Sequence, residues 1–160
     1  MSATLATSNR IGILGIGYEG RSIDEFVREL SGLRVARLVD VRMTPISRKR
    51  GFSKTALSQA LAAQGIVYEH HRELGNPKEN RPGFGGNSQE LESARAAYAS
   101  RLHRAESRAA LDALAEAAQR ELVALLCFEA DESRCHRRVL MHALEGRLLP
   151  IVSASTLPAR

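Results

Sequence analysis

Residues 11–30 read IGILGIGYEGRSIDEFVREL, and this stretch decides the fold class. Ile11 to Ile16 is a short apolar run rich in β-branched residues and closed by Gly17, the form of a strand buried on both faces. From Ser22 the period changes. Ser22 and Glu25 have the S-x-x-E spacing of a capping box, and Ile23, Phe26, Val27 and Leu30 recur at i, i+3, i+4 and i+7 before Gly32 closes the segment. A buried strand, a turn and an amphipathic helix in succession open a βαβ unit.

The unit recurs downstream. Val35 to Val41 is strand-like, Ser53 is positioned to cap a helix through Leu57 and Leu61, and Gly65 stops that helix before a strand at Ile66 to Tyr68. Consecutive βα units predict a parallel sheet. Residues 74–87, LGNPKENRPGFGGN, form the one long irregular segment, of a length that in a compact domain signals function or disorder. Asn87 and Glu90 predict the start of a third helix running to about Arg104, and Ser107 that of a fourth running to about Arg120. Leu122 to Phe128 is the most hydrophobic strand and is expected at the centre of the sheet. A fifth helix is expected from near Cys135 to Glu145, stopped by Gly146, and a last strand from Leu148 to Val152, placed at an edge by Pro150. The expectation is a three-layer, doubly wound, mainly parallel α/β domain over residues 11–153. About five strands would be flanked by about five helices, with tails at 1–10 and 154–160.

The 160 residues are long enough for one domain that buries about two-thirds of its unfolded surface, so no disulfide or metal staple is required. With 44% apolar and 26% charged residues and a mean hydropathy of -0.22, the composition excludes disordered, collagenous and membrane-spanning classes. Two cysteines, and no apolar leader within Met1 to Arg10, point to reduced thiols and a cytoplasmic location. A net charge of +5 suits anionic partners, although Arg outnumbers Lys, with only Lys49, Lys54 and Lys78 present, so biased composition accounts for the basicity equally well.

Parallel α/β sheets bind ligands beyond the carboxyl ends of their strands. Those ends carry Tyr18 and Glu19, then Asp40, Arg42, Ser47 and Arg48, then His70 and His71, then Glu129, Cys135, His136 and Arg137. Cys135, at a helix start among arginines, has the surroundings of a nucleophilic thiolate; the plainer reading is an inert thiol that docks the helix. Cys127, inside an apolar strand, reads as a small buried hydrophobe. His136 adjoins Cys135, but helical neighbours diverge by about 100°, so His70 or His71 is an equal candidate for the base. No H-x-x-x-H, C-x-x-C or E-x-x-H pattern links these groups, so no structural zinc site and no cofactor are expected, and a catalytic metal would have to be held by residues distant in sequence. Residues 42–54 hold five cations and no acid; Arg42, Ser47 and Arg48, with Arg137, are the expected anion ligands. Asp40, ending a buried strand, needs an arginine partner, Arg42 or Arg137.

Taken together, Ile16-Gly17-Tyr18-Glu19-Gly20, Leu38-Val39-Asp40-Val41-Arg42 with Pro45, Ser47 and Arg48, then Phe52, Leu74-Gly75, Leu126-Cys127-Phe128-Glu129 and Cys135-His136-Arg137 resemble the domain of unknown function family 488. The resemblance spans residues 11–140. It implies a small bacterial or archaeal three-layer α/β protein with its shared polar motifs at strand ends, and it specifies no reaction. The family often carries Thr two residues before the first motif glycine and a second Gly after Leu-Gly, where this chain has Gly15 and Asn76.

The expected function is an enzyme acting on a small anionic, nucleotide-like or phosphorylated substrate. Cys135 would be its nucleophile, with Glu19, Asp40 or Glu129 handling protons. In a thiol-free variant, Tyr18, Asp40 and Glu129 serve glycosyl transfer. The alternatives are a nucleic-acid binder using the 42–54 loop and a non-catalytic ligand-binding module. No membrane partner is expected, and oligomeric state is not legible.

Overall fold

All six residues of the strand Leu122–Cys127 are buried, because each of its faces has its own layer of helices to meet. Leu122, Ala124 and Leu126 point into one apolar cluster and Val123 and Leu125 into the other, the alternation that a pleated strand imposes. The computed structural model describes residues 10–148. Within them β1 (Gly12–Gly17), α1 (Ile23–Gly32), β2 (Arg37–Asp40), α2 (Lys54–Ala62), β3 (Val67–His70), α3 (Ser88–Arg101), α4 (Ala105–Ala118), β4 (Leu122–Cys127) and α5 (Arg137–Leu148) follow one another. The four strands are all parallel, in the order β1-β4-β2-β3, with Gly17 opposite Cys127 and Asp40 opposite Leu126. The protein is a three-layer α/β domain, as the sequence predicts, with β4 inside the sheet.

One layer packs Phe26 and Leu30 of α1 and Leu57 and Leu61 of α2 on Leu38 and Leu126. The other packs Tyr98, Leu111, Leu114, Leu140 and Leu144 of α3, α4 and α5 on Ile13, Val39 and Leu125. Full burial of side chains of this size contributes about 1.5–3 kcal/mol each. Capping boxes form at both predicted sites, Ser22 with Glu25 and Asn87 with Glu90.

Several local expectations are corrected. Ser53 does not cap α2 with its side chain; its Oγ accepts from Ser47 N (3.0 Å) and donates to Ser47 O (3.2 Å), folding the basic loop on itself. The fourth helix starts at Ala105, not Ser107, because Ser107 is buried in its first turn and donates to Glu73 O. Gly146 does not stop the fifth helix: Leu144 and Leu148 lie buried on either side of it, so packing outweighs the roughly 1 kcal/mol cost of an interior glycine. Leu148 therefore ends α5, and the rest of the strand expected at 148–152 lies outside the described residues, as do the 154–160 tail and residues 1–9. The irregular 74–87 segment is built of short 3-10 turns, pinned to α3 by Asn80 Nδ2 on Ala94 O and Tyr98 Oη on Leu74 O. No helix among the described residues is long and apolar enough to cross a membrane.

Beyond Ile13, the β1 positions facing α5 are Gly15 and Gly17. A Cβ on Gly15 would meet the Glu132 carboxylate and lie 3.5 Å from an Arg137 terminal nitrogen, and one on Gly17 would overlap the Glu129 carbonyl. These two positions without side chains admit the 129–137 segment to the sheet edge. Gly17→Ala is expected to destabilise the protein by about 1–3 kcal/mol through overpacking, read as a lowered urea midpoint. A midpoint equal to wild type would mean that the approach is not so close in solution.

Candidate active site

The predicted strand-end residues divide between the two faces of the sheet. Asp40 is wholly buried on the α1/α2 side, and Arg42 is 6% exposed. Arg42 holds Asp40 bidentately, with Nε on Oδ1 at 2.9 Å and a terminal nitrogen on Oδ2 at 2.7 Å. Tyr68 Oη donates to the same Oδ2 (2.6 Å), and the other terminal nitrogen of Arg42 reaches Phe52 O (2.7 Å) and Tyr18 Oη (3.3 Å). Burial disfavours the Arg42 charge, but the Asp40 carboxylate outweighs it and leaves the guanidinium more firmly protonated than usual. Tyr18 stacks on Phe52 with ring centroids 4.4 Å apart. Of the two partners the sequence leaves open for Asp40, the fold selects Arg42.

Beyond the strand ends, a cleft of about 240 Å³ is lined from both sides, by Cys127, Cys135, His136 and Glu129 and also by Tyr18 and Arg42. Cys135 is 2%, His136 5% and Cys127 7% exposed. Cys135 is extended (φ -132°, ψ 146°) rather than helical, so the angular divergence of helical neighbours does not apply. His136 Nδ1 lies 3.7 Å from Cys135 Sγ and 3.9 Å from Cys127 Sγ. His136 Nε2 is 2.9 Å from Val41 O; a carbonyl only accepts, so Nε2 carries a proton and Nδ1 is the atom turned to the sulfurs. The Tyr98 ring packs edge-on against the imidazole at 4.9 Å. Cys135 Sγ also accepts from Arg137 Nε (3.4 Å) and Arg137 N (3.5 Å).

These contacts separate the two thiols. Burial opposes ionisation of Cys135, but hydrogen bonds from Cys127 and His136 and the positive charges of His136 and Arg137 outweigh it, taking the thiol well below its ordinary value. Cys127 moves the opposite way, raised first by its hydrogen bond to Cys135 and then by burial. Its Sγ lies 3.3 Å from Glu129 Oε2. Burial first, and then the Cys135 charge, lift the Glu129 carboxyl above the usual carboxylate range.

Arg42 and Arg137 are buried, Arg42 against Asp40, Phe52 O and Tyr18, and Arg137 with N and Nε on Cys135 Sγ and one terminal nitrogen on the Glu129 carbonyl. Arg48 is exposed and, with Ser47, lies apart from the cleft lining. Glu19 is exposed and accepts from Ala130 N (3.0 Å), fastening the loop after β4. His70 donates to Arg42 O (2.7 Å), and His71 sits between Glu69 and Glu73, so neither lines the cleft. The exposed cations of the cleft are Arg81, which the sequence reading did not single out, and Arg134, which it noted only as a neighbour of Cys135. Arg134 donates to Gly86 O (2.9 Å) and Arg81 to Asn76 O (3.3 Å), and neither is ion-paired among the described residues. The 74–87 segment brings Arg81 there, and the turn before Cys135 brings Arg134. Cys127 was also missed as a site residue. Its odd position in β4, shared with Val123 and Leu125, is the signal that sends it to the α5 side.

Cys127, Cys135 and His136 each offer a ligand atom, and these atoms lie within 4.8 Å of one another, close enough for one metal ion. No curated protein and no solved structure matches the chain. A family model, Domain of unknown function DUF488, matches residues 22–144, a span that begins at the Ser22 cap and contains the Asp40–Arg42 pair and the whole cysteine cluster. With that match over most of its length, the chain belongs to the DUF488 family.

Proposed function

We propose that the protein is an enzyme that transfers a phosphoryl group from a small phosphorylated substrate, with Cys135 as nucleophile. The observation that carries this reading is the seating of Cys135 Sγ in the cleft wall, facing His136 Nδ1 and receiving two N–H groups of Arg137. Donors arranged in this way stabilise a thiolate. Arg134 and Arg81 are the cations available for the substrate's anionic group. Cys135 Sγ attacks phosphorus, the bond from phosphorus to the leaving oxygen breaks, and the Glu129 carboxyl gives its proton to that oxygen. Water then attacks the S–P bond, its proton passes to Glu129 and the thiolate is regenerated. The carboxylate-only glycosyl variant has less support, since Asp40 is enclosed by Arg42 and Tyr68 on the other face of the sheet.

The test uses reduced, chelator-treated protein, iodoacetamide and peptide mapping, with inorganic phosphate as the anionic probe. Cys135 is expected to label well ahead of Cys127, phosphate to slow the labelling, and Arg134→Ala to remove that protection. In a screen of phosphorylated compounds, Cys135→Ser is expected to abolish turnover while keeping the melting temperature. Turnover retained in Cys135→Ser would end the nucleophile assignment.

A further inference from the structure

We infer that Cys127, Cys135 and His136 form a binding site for a thiophilic divalent cation of the zinc class, with the fourth coordination position turned to the cleft. The inference does not rest on the nucleophile reading, because it needs only the positions of the three donor atoms.

Tetrahedral zinc with Zn–S of about 2.3 Å and Zn–N of about 2.0–2.1 Å sets ligand S···N separations of about 3.5–3.6 Å and S···S of about 3.8 Å. The two S···N separations here are 3.7 and 3.9 Å, and all three donor atoms fall within 4.8 Å of one another. Side-chain movements of a few tenths of an ångström at the imidazole, and of up to about 1 Å between the sulfurs, complete the geometry. The imidazole is already oriented for the task. Its Nε2–H is tied to Val41 O, which in the neutral ring leaves the Nδ1 lone pair directed at the two sulfurs. A carbonyl partner on the far nitrogen is the usual way a protein fixes a metal-binding histidine. Tyr98 packs on the same ring, and its own hydroxyl is tied to Leu74 O, so the ring has little freedom to turn away.

The donor set also selects the cation. Two sulfurs and one imidazole suit zinc and exclude magnesium and calcium, which require oxygen ligands. Two thiolates neutralise the two charges of the ion, and Arg137 N and Nε remain as hydrogen-bond donors to the Cys135 sulfur. Glu129 Oε2, 3.3 Å from Cys127 Sγ, stands outside the group of three donor atoms, so the fourth position falls to water from the cleft. The ligands lie in two sequence segments, Cys127 at the end of β4 and Cys135-His136 at the start of α5, which is why no short spacing pattern marks them.

A cation held by Cys135 occupies the sulfur that the proposed reaction uses, so zinc is expected to slow alkylation of Cys135 and to inhibit turnover. The experiment is a zinc titration of the reduced, metal-free full chain against a chromogenic chelator, with cobalt as a spectroscopic substitute. One equivalent is expected to bind, with the cobalt form showing sulfur-to-metal charge transfer and the visible bands of a tetrahedral site. Cys127→Ser and His136→Gln are each expected to weaken binding by about a hundredfold or more. Circular dichroism checks that both variants are folded. If one fails to fold, loss of the charge-transfer band on alkylating the wild-type protein at Cys135 serves in its place. Stoichiometric binding that neither variant weakens, a cobalt spectrum without charge transfer, or no binding at micromolar zinc would overturn the inference. Alkylation and phosphate protection in chelator read the nucleophile separately, so either result can fail without the other.

Discussion

Arg42→Met is expected to lower the unfolding free energy by about 3–5 kcal/mol, the cost of leaving a buried carboxylate without its cation. Asp40 has no exposed surface and accepts from Arg42 N, Arg42 Nε, an Arg42 terminal nitrogen and Tyr68 Oη. Removal of the guanidinium takes away two of these donors and the compensating charge while the carboxylate stays in the core. Adding Asp40→Asn to the same chain removes the unpaired charge, so the double variant is expected to be less destabilised than the two single effects summed. The double-mutant cycle isolates that coupling, and urea unfolding of the four proteins supplies it. Additive single effects would show that the pair is not coupled in solution. The consequence reaches the cleft: Val41, between the two partners, accepts from His136 Nε2, and Arg42 O accepts from His70. A loosened strand end is therefore expected to change Cys135 reactivity as well as stability.

The second large effect is in the pH profile of alkylation. An ordinary thiol ionises near pH 8.5, so its rate falls about tenfold per pH unit below that. Cys135 is held ionised by His136, Cys127 and Arg137 against its own burial. In the reduced, metal-free protein its alkylation rate is expected to change less than about twofold between pH 8 and pH 6. The sign follows from the depressed value: the reactive form persists as pH falls and is lost only far below neutrality. The slope is the informative quantity, because thiolate nucleophilicity falls with pKa and limits the gain in absolute rate. Cys127 is raised by the same contact and is expected to label slowly throughout. A tenfold fall per unit at Cys135 would refute the ionised assignment.

Together, the proposed nucleophile and the inferred cation site give the cleft two exclusive states. With the cation absent, Cys135 would be free to act as the nucleophile beside Glu129; with it bound, both sulfurs and His136 would be ligands. Zinc availability would thus compete with substrate for one sulfur, and a chelator would raise turnover.

Sequence periodicity alone determined the parallel α/β class, the capping boxes at Ser22 and Asn87, and the central place of the Leu122–Cys127 strand. These follow from local hydrogen bonding and from the alternation between apolar runs and amphipathic turns, which a single chain segment carries within itself. The strand-end rule also collected the residues around which the site is built. It did not separate Asp40 and Arg42 from Cys127, because proximity along the sequence says nothing about which face of a pleated sheet a side chain takes once helices cover both. Pleat and packing sent Asp40 under α1 and α2 and the cysteines under α5, while Arg42 also reaches the lining of the cleft. Tertiary structure alone turned Cys127 from an apolar strand residue into a partner of Cys135, and it brought Arg81 to the cleft beside Arg134. Burial disfavours the charge on both thiols, and the hydrogen bonds and charges that Cys127, His136 and Arg137 bring to Cys135 are what set the two apart.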